Sequence, residues 1–159
     1  MRKRKIILST IFLLAVLVFS GCTSNPTENS TGQVTLSDDS GGSNDKISIP
    51  VSEISEKAKW FEYESDGAII RFFAVKASDG SIKTAFDACD VCFSSKKGYS
   101  QDGSVMVCNN CGNKYPIDGL GTENKQGGGC WPGYLSSTIV GDSLEIKKSD
   151  LDKGRYRFL

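Results

Sequence analysis

The sequence predicts a mostly β domain of short antiparallel strands carrying two C-x-x-C metal knuckles, with little helix outside an N-terminal signal segment. Three observations lead to this. Runs rich in aromatic and β-branched residues alternate with Asp-Gly turns from Trp60 onward. Four of the cysteines fall in two close pairs, Cys89-x-x-Cys92 and Cys108-x-x-Cys111. The one long apolar run lies at the very start, from Ile6 to Phe19.

A chain of 159 residues has room for one ordinary domain and a tail. Arg2, Lys3, Arg4 and Lys5, the apolar run, and Ser20-Gly21 before Cys22 have the three parts of an export signal over residues 1–21. The run is shorter than the ~20 residues a spanning helix needs, which favours a processed signal over a permanent transmembrane helix. Ser20-Gly21-Cys22 resembles a lipobox, which implies lipidation of Cys22. Phe19 stands where leucine is usual, so anchoring by an uncleaved segment is the alternative. Either arrangement puts the domain at the extracytoplasmic face of the cell membrane. Residues 22–46 are mostly Ser, Thr, Asn, Gly and Asp, with too little apolar surface to offset the entropy of ordering, and read as a disordered tether. Within them, Asn29-Ser30-Thr31 matches a glycosylation sequon, a triplet common by chance.

The domain spans 47–159. Strands are expected at Trp60 to Glu64, Ala68 to Lys76, Ile82 to Phe86, Val105 to Cys108, Ser137 to Val140, Leu144 to Lys147 and Arg155 to Phe158. Asp66-Gly67 and Asp79-Gly80 mark hairpin turns, because glycine tolerates the positive φ of a tight turn. Ile69-Ile70 and Phe72-Phe73 put apolar side chains on both faces of one strand, which predicts cover on both sides. Ile47-x-Ile49-x-x-Ser52-Glu53-Ile54 and Leu144-x-Ile146-x-x-Ser149-Asp150-Leu151 share a pattern and read as strand, Ser-capped turn, strand. They are either twin elements closing the two ends of the domain or chance repeats of a short apolar pattern.

Two C-x-x-C turns brought together by a β scaffold give four sulfurs around a metal, and Cys89, Cys92, Cys108 and Cys111 are the candidate ligands. All-sulfur sites suit zinc, a single iron or an iron-sulfur cluster. Gly112 fits, since a residue without Cβ lets backbone amides turn toward sulfur. Disulfides are the competing reading for an exported domain. Close pairing and the odd fifth cysteine, Cys130, argue against a fully bridged framework.

Phe86-Asp87-Ala88-Cys89-Asp90-Val91-Cys92, Gly98-Tyr99, Val107-Cys108-Asn109-Asn110-Cys111-Gly112 and Gly127-Gly128-Gly129-Cys130-Trp131-Pro132 resemble the FtrD-like family of membrane-associated iron-sulfur proteins. The resemblance covers most of 47–159 and implies an iron-sulfur cofactor, membrane association and, for some members, a link to iron import. Cys108-x-x-Cys111-Gly112-x-x-Tyr115-x-x-Asp118-Gly119 is also locally similar to the second Rieske ligand loop, with Cys111 where histidine would stand. A Rieske-like or zinc-ribbon-like β domain is therefore expected. The chain has no histidine, which excludes a true Rieske centre.

Cys130, between three glycines and Trp131-Pro132-Gly133, can be a fifth or exchangeable ligand, a reactive thiol or a buried small residue. Trp131 can shield the centre or simply pack. Asp87, Asp90 and Asp118 are expected to be solvated carboxylates beside turns.

The chain carries 19 basic and 19 acidic residues; residues 1–21 hold four of the bases and no acid, leaving 15 against 19. Nothing in this balance suggests a nucleic-acid partner. Without histidine the familiar Ser-His and Cys-His nucleophile pairs cannot be built, which disfavours a hydrolase. The readings that stand are an electron carrier with a membrane redox or metal-transport partner, a zinc-supported metal-handling protein using Cys130, and a thiol-disulfide oxidoreductase. The first two make the chain a metal-binding protein rather than an enzyme, and the third lacks the βαβ context of thioredoxin-like motifs.

Overall fold

The computed structural model describes residues 45–159. The signal segment, Cys22 and nearly all of the tether lie outside the described residues.

The described chain is mostly β, in three antiparallel three-stranded sheets. Strands β1 (Lys46–Pro50), β9 (Ser143–Lys147) and β8 (Thr138–Val140) form one in the order β1-β9-β8. A second has β2 (Lys59–Ser65), β3 (Ala68–Lys76) and β4 (Ile82–Phe86) in sequence order. The third has β5 (Tyr99–Asp102), β6 (Val105–Cys108) and β7 (Lys114–Pro116). One helix, α1 (Lys148–Lys153), follows β9, and short 3-10 turns occupy Val51–Glu53, Phe93–Ser95, Ile117–Gly119 and Arg155–Phe158.

Strand β3 is the partition between two apolar cores. Its side chains alternate, as a pleated strand requires. Ile70, Phe72 and Ala74 enter one core with Ile47, Ile49, Leu144, Ile146 and Leu151. Phe73 and Val75 enter the other with Ala85, Tyr99, Met106, Leu120, Cys89 and Cys108. Phe72 and Phe73 are both completely buried, so neighbouring residues face opposite cores, and each contributes about 1.5–3 kcal/mol by burial. Cover on both sides was expected for this strand, and it holds except at Ile69, which is 47% exposed. The expected Asp66-Gly67 hairpin joins β2 to β3, both turn residues holding positive φ (45° and 76°).

The twin motifs meet. Strand β1 pairs antiparallel with β9 so that Ile47 faces Ile146 and Ile49 faces Leu144, which brings the two ends of the described chain together. Their serines do not cap: Pro50 and Lys147 occupy the cap positions, and neither makes a side-chain cap hydrogen bond. After β9 the chain forms a helix instead of a turn and strand. Leu151 is its buried contact, and it ends at Gly154, where a Cβ would collide with the Phe86 ring. The expected strand at Arg155 to Phe158 is a 3-10 turn. Its alternation of basic and aromatic residues serves packing against the β4 end: Phe158 lies 6.2 Å from Phe86, ring to ring, and the Arg157 guanidinium 5.3 Å from the same ring.

Candidate metal centre

Each cysteine pair sits where a strand ends. Past β4, the Asp87 N–H donates to Arg71 O (2.9 Å), which carries the β3–β4 pairing one residue closer to Cys89. Phe86 N–H donates to Gly133 O and Gly133 N–H to Ala88 O, both at 2.8 Å, so the segment carrying Cys130 runs beside the segment carrying Cys89. The second pair follows from the β5–β6 hairpin: Cys108, the last residue of β6, lies opposite Tyr99, the first of β5. Asn109 N–H donates to Gly98 O (3.0 Å) and closes the gap between the two turns.

Five sulfurs are brought together. Those of Cys89, Cys92 and Cys130 lie within 4.8 Å of one another, as do those of Cys92, Cys108 and Cys111. Cys92 belongs to both groups, and its sulfur is 3.5 Å from that of Cys130. No disulfide links any of these five cysteines. Cys89 and Cys108 are buried, Cys92 and Cys130 half-buried, and Cys111 exposed. The cluster thus has a dry inner side, continuous with the second core, and one wet edge. Trp131 packs in that core against Tyr115 at 4.7 Å between rings.

Burial, neighbouring N–H groups and neighbouring sulfurs shift four of the thiols. Burial raises Cys89, but the N–H groups of Cys92 and Val91 and the nearby Tyr99 hydroxyl outweigh it and hold the thiol below its ordinary value. The Cys92 N–H donates to Cys89 Sγ at 2.9 Å. Burial raises Cys108 despite the N–H groups of Cys111 and Asn110. Cys111 is lowered by the Asn113 N–H and by Cys108. Cys130 is pushed up to about 12 by burial and by the sulfurs of Cys92 and Cys111. Crowding thiolates costs free energy that a cation removes, so metal binding here releases protons. The donor set, all sulfur on closely spaced turns, fits zinc, iron or an iron-sulfur cluster.

Two carboxylates expected to be solvated prove structural. Asp87 is buried; its Oδ1 accepts from Tyr99 N–H (2.8 Å) and Trp60 Nε1–H (3.3 Å), and the Arg71 guanidinium approaches its Oδ2 at 3.8 Å. Burial pushes its carboxyl up to about 6, against those donors and Arg71. Asp90, inside the first C-x-x-C turn, accepts from Gly128 N–H (2.8 Å), Tyr156 O–H (2.8 Å), and Arg157 Nε (3.0 Å) and Nη2 (2.5 Å). Asp118 is exposed as expected and accepts from Ser78. Gly98 holds φ 62°, and a Cβ there would collide with the Asp87 carboxylate. Gly112 holds φ 75°, and its N–H goes to Cys108 O (2.8 Å) rather than to a sulfur. The only sequence sign of the two aspartates was acidic residues flanking Cys89.

The family model described as "Membrane iron-sulfur containing protein FtrD-like" matches residues 54–158. The chain belongs to this FtrD-like family. The matched span contains all five clustered cysteines and both aspartate hubs. No curated protein and no solved structure matches the chain. Among the described residues, no helix is long and apolar enough to cross a membrane.

Proposed function

We propose that this protein is an electron carrier or redox relay held at the extracytoplasmic face of the cell membrane, with an iron-sulfur cluster on Cys89, Cys92, Cys108 and Cys111. The convergence of Cys92 with both cysteines of the second pair, within 4.8 Å, carries the reading. The FtrD-like family description supports iron-sulfur over zinc and supports membrane association. A cluster supplies one-electron transfer at a potential set by ligand charge, hydrogen bonds to sulfur and exposure.

The chain's own residues do the rest. Cys89 and Cys108, with Met106, Leu120 and Phe73 behind them, keep water from the inner side. Cys111 leaves an exposed edge where a partner can approach. The Cys92 N–H on Cys89 Sγ stabilises a charged sulfur. Lipidation of Cys22, or an uncleaved anchor, with the tether behind it, raises the effective concentration of membrane redox or metal-transport partners without new contacts. A link to iron uptake fits such partners.

Anaerobic purification followed by metal and labile-sulfide analysis tests this. Iron with equimolar sulfide is expected. Iron without sulfide makes the site mononuclear; zinc makes it structural and leaves Cys130 as a metal-handling thiol; linked cysteines without metal return the thiol-disulfide reading. Because the chain has no histidine to titrate at the centre, the reduction potential is expected to stay flat between about pH 7 and 9, above the range in which buried Asp87 titrates. A slope near one proton per electron contradicts the ligand set.

A further inference from the structure

The centre has one more sulfur than the two C-x-x-C pairs supply, and that sulfur is held in place. Cys130 faces Cys92, and it shares the 4.8 Å group of Cys89 and Cys92. Cys92 likewise groups with Cys89 on one side and with Cys111 on the other. The two sulfurs therefore share Cys89 as a neighbour and stand 3.5 Å apart. Sulfurs on one tetrahedral ion at about 2.3 Å are roughly 3.8 Å from each other, so at this spacing both sulfurs are within reach of the same ion.

The loop before Cys130 has no side chains with which to fix itself. Gly127, Gly128 and Gly129 all hold positive φ (67°, 82° and 70°). Its anchor comes from the first C-x-x-C turn: Asp90 Oδ2 accepts the Gly128 N–H at 2.8 Å. The other oxygen of Asp90 is held by Tyr156 and Arg157, the latter only 11% exposed, so the carboxylate is itself fixed. Beyond the loop, the Tyr99 hydroxyl donates to Cys130 O at 2.5 Å.

We propose that Cys130 is an alternate ligand to Cys92, the two serving one coordination position between them, and that Asp90 is the positioning residue that keeps Cys130 within reach. The proposal rests on the metal-centre reading above and extends it. Cys89, Cys108 and Cys111 are the constant ligands. Exchange between Cys92 and Cys130 exchanges one thiolate–metal bond for another, with the proton passing from the incoming thiol to the outgoing sulfur. No oxidant or reductant is required.

Full-length wild type, Cys92→Ser, Cys130→Ser, Cys92→Ser/Cys130→Ser, Asp90→Asn and Cys92→Ser/Asp90→Asn are purified anaerobically and compared for iron, sulfide and visible absorption. Circular dichroism of the metal-free forms reports folding. Each single cysteine variant is expected to keep most of its iron with a shifted visible band. The double cysteine variant should lose metal affinity by about tenfold or more, and Asp90→Asn should cause a comparable loss only when Cys92 is already absent. In the metal-free state, Asp90→Asn should also speed alkylation of Cys130 and leave that of Cys89 unchanged. A folded Cys92→Ser protein without metal, a double cysteine variant that retains it, or equal Asp90→Asn losses with and without Cys92 overturns the proposal. Wild type lacking iron and sulfide overturns the cluster reading instead. Ligand exchange is then decided on the same proteins by cadmium titration, with the same order of affinities expected in the thiolate charge-transfer band.

Discussion

Cys89-x-x-Cys92 and Cys108-x-x-Cys111 share a spacing, but the first turn is fixed by side chains from distant segments and the second by its own hairpin. Around the first, Asp87 ties β2, β3 and β5 together through Trp60, Arg71 and Tyr99. Asp90 ties in the glycine loop and the C-terminal turn. Around the second, Cys108 N–H donates to Asn113 O (2.9 Å) and Gly112 N–H to Cys108 O (2.8 Å), a local backbone pattern. The first turn therefore couples the centre to the whole fold. The second is a self-contained loop that can present an exposed cysteine at little cost to the fold.

Substituting the glycine beside each turn tests that difference most severely. Gly98→Ala combines left-handed strain with a collision against Asp87, and is expected to cost about 3 kcal/mol. Gly112→Ala has open space around the new Cβ and should cost about 1–2 kcal/mol. Urea denaturation of the metal-free proteins measures both, and equal losses would erase the distinction between the turns. Next come the polar residues. Asp87→Ala strands the Tyr99 N–H and the Trp60 indole N–H and should lose roughly 2 kcal/mol. Asn109→Ala, which removes exposed bonds to Lys97 and Ser100, should stay within about 0.5 kcal/mol, as thermal melts can establish.

Reactivity should divide the cysteines the same way. In metal-free protein the exposed Cys111, its thiol held below the ordinary value, should be alkylated first, and buried Cys89 and Cys108 last, as mass spectrometry of a timed quench would resolve. Cys89 reacting first would place the open edge on the wrong turn.

The smallest effect concerns the Asp102–Lys114 pair at 2.7 Å, which spans the sheet of the second turn. The hydrogen bond from Lys114, then its charge, lower the Asp102 carboxyl below 3.8. Its stabilising effect is present above the unfolded value and lost as pH falls through the folded one. Both groups are well exposed, so Lys114→Ala should flatten the acid limb of the stability curve slightly and leave neutral stability and metal content unchanged.

The β3 and β4 strands, the Asp66-Gly67 hairpin and the two C-x-x-C turns were legible because each rests on local pattern or spacing. Asp87 and Asp90 were not. A carboxylate beside a turn reads as solvated unless one knows that Trp60, Tyr99, Tyr156 and Arg157, far off in sequence, fold onto it. Arg155 to Phe158 failed for a related reason. Its alternation suits an edge strand, but its aromatic and basic side chains pack on Phe86 instead. The twin motifs lay between these cases. Their likeness was visible, and their pairing required the intervening chain to bring them together.

That pairing has a kinetic side. Strand β1 is made first and β9 nearly last, and in the described chain the ladder of β1 joins it to β9 alone, with Lys46 opposite Lys147. In folding, β1 must find its partner across almost the whole described chain, and loop closure over that span is among the slowest contacts a small domain can make. The second cysteine turn, built on its own hairpin, can form before the ladder does, whereas the first draws on Tyr156 and Arg157 beyond β9. Molecules truncated before β9 would thus carry all five of these sulfurs on an open scaffold, with the apolar faces of β1 and β3 left bare.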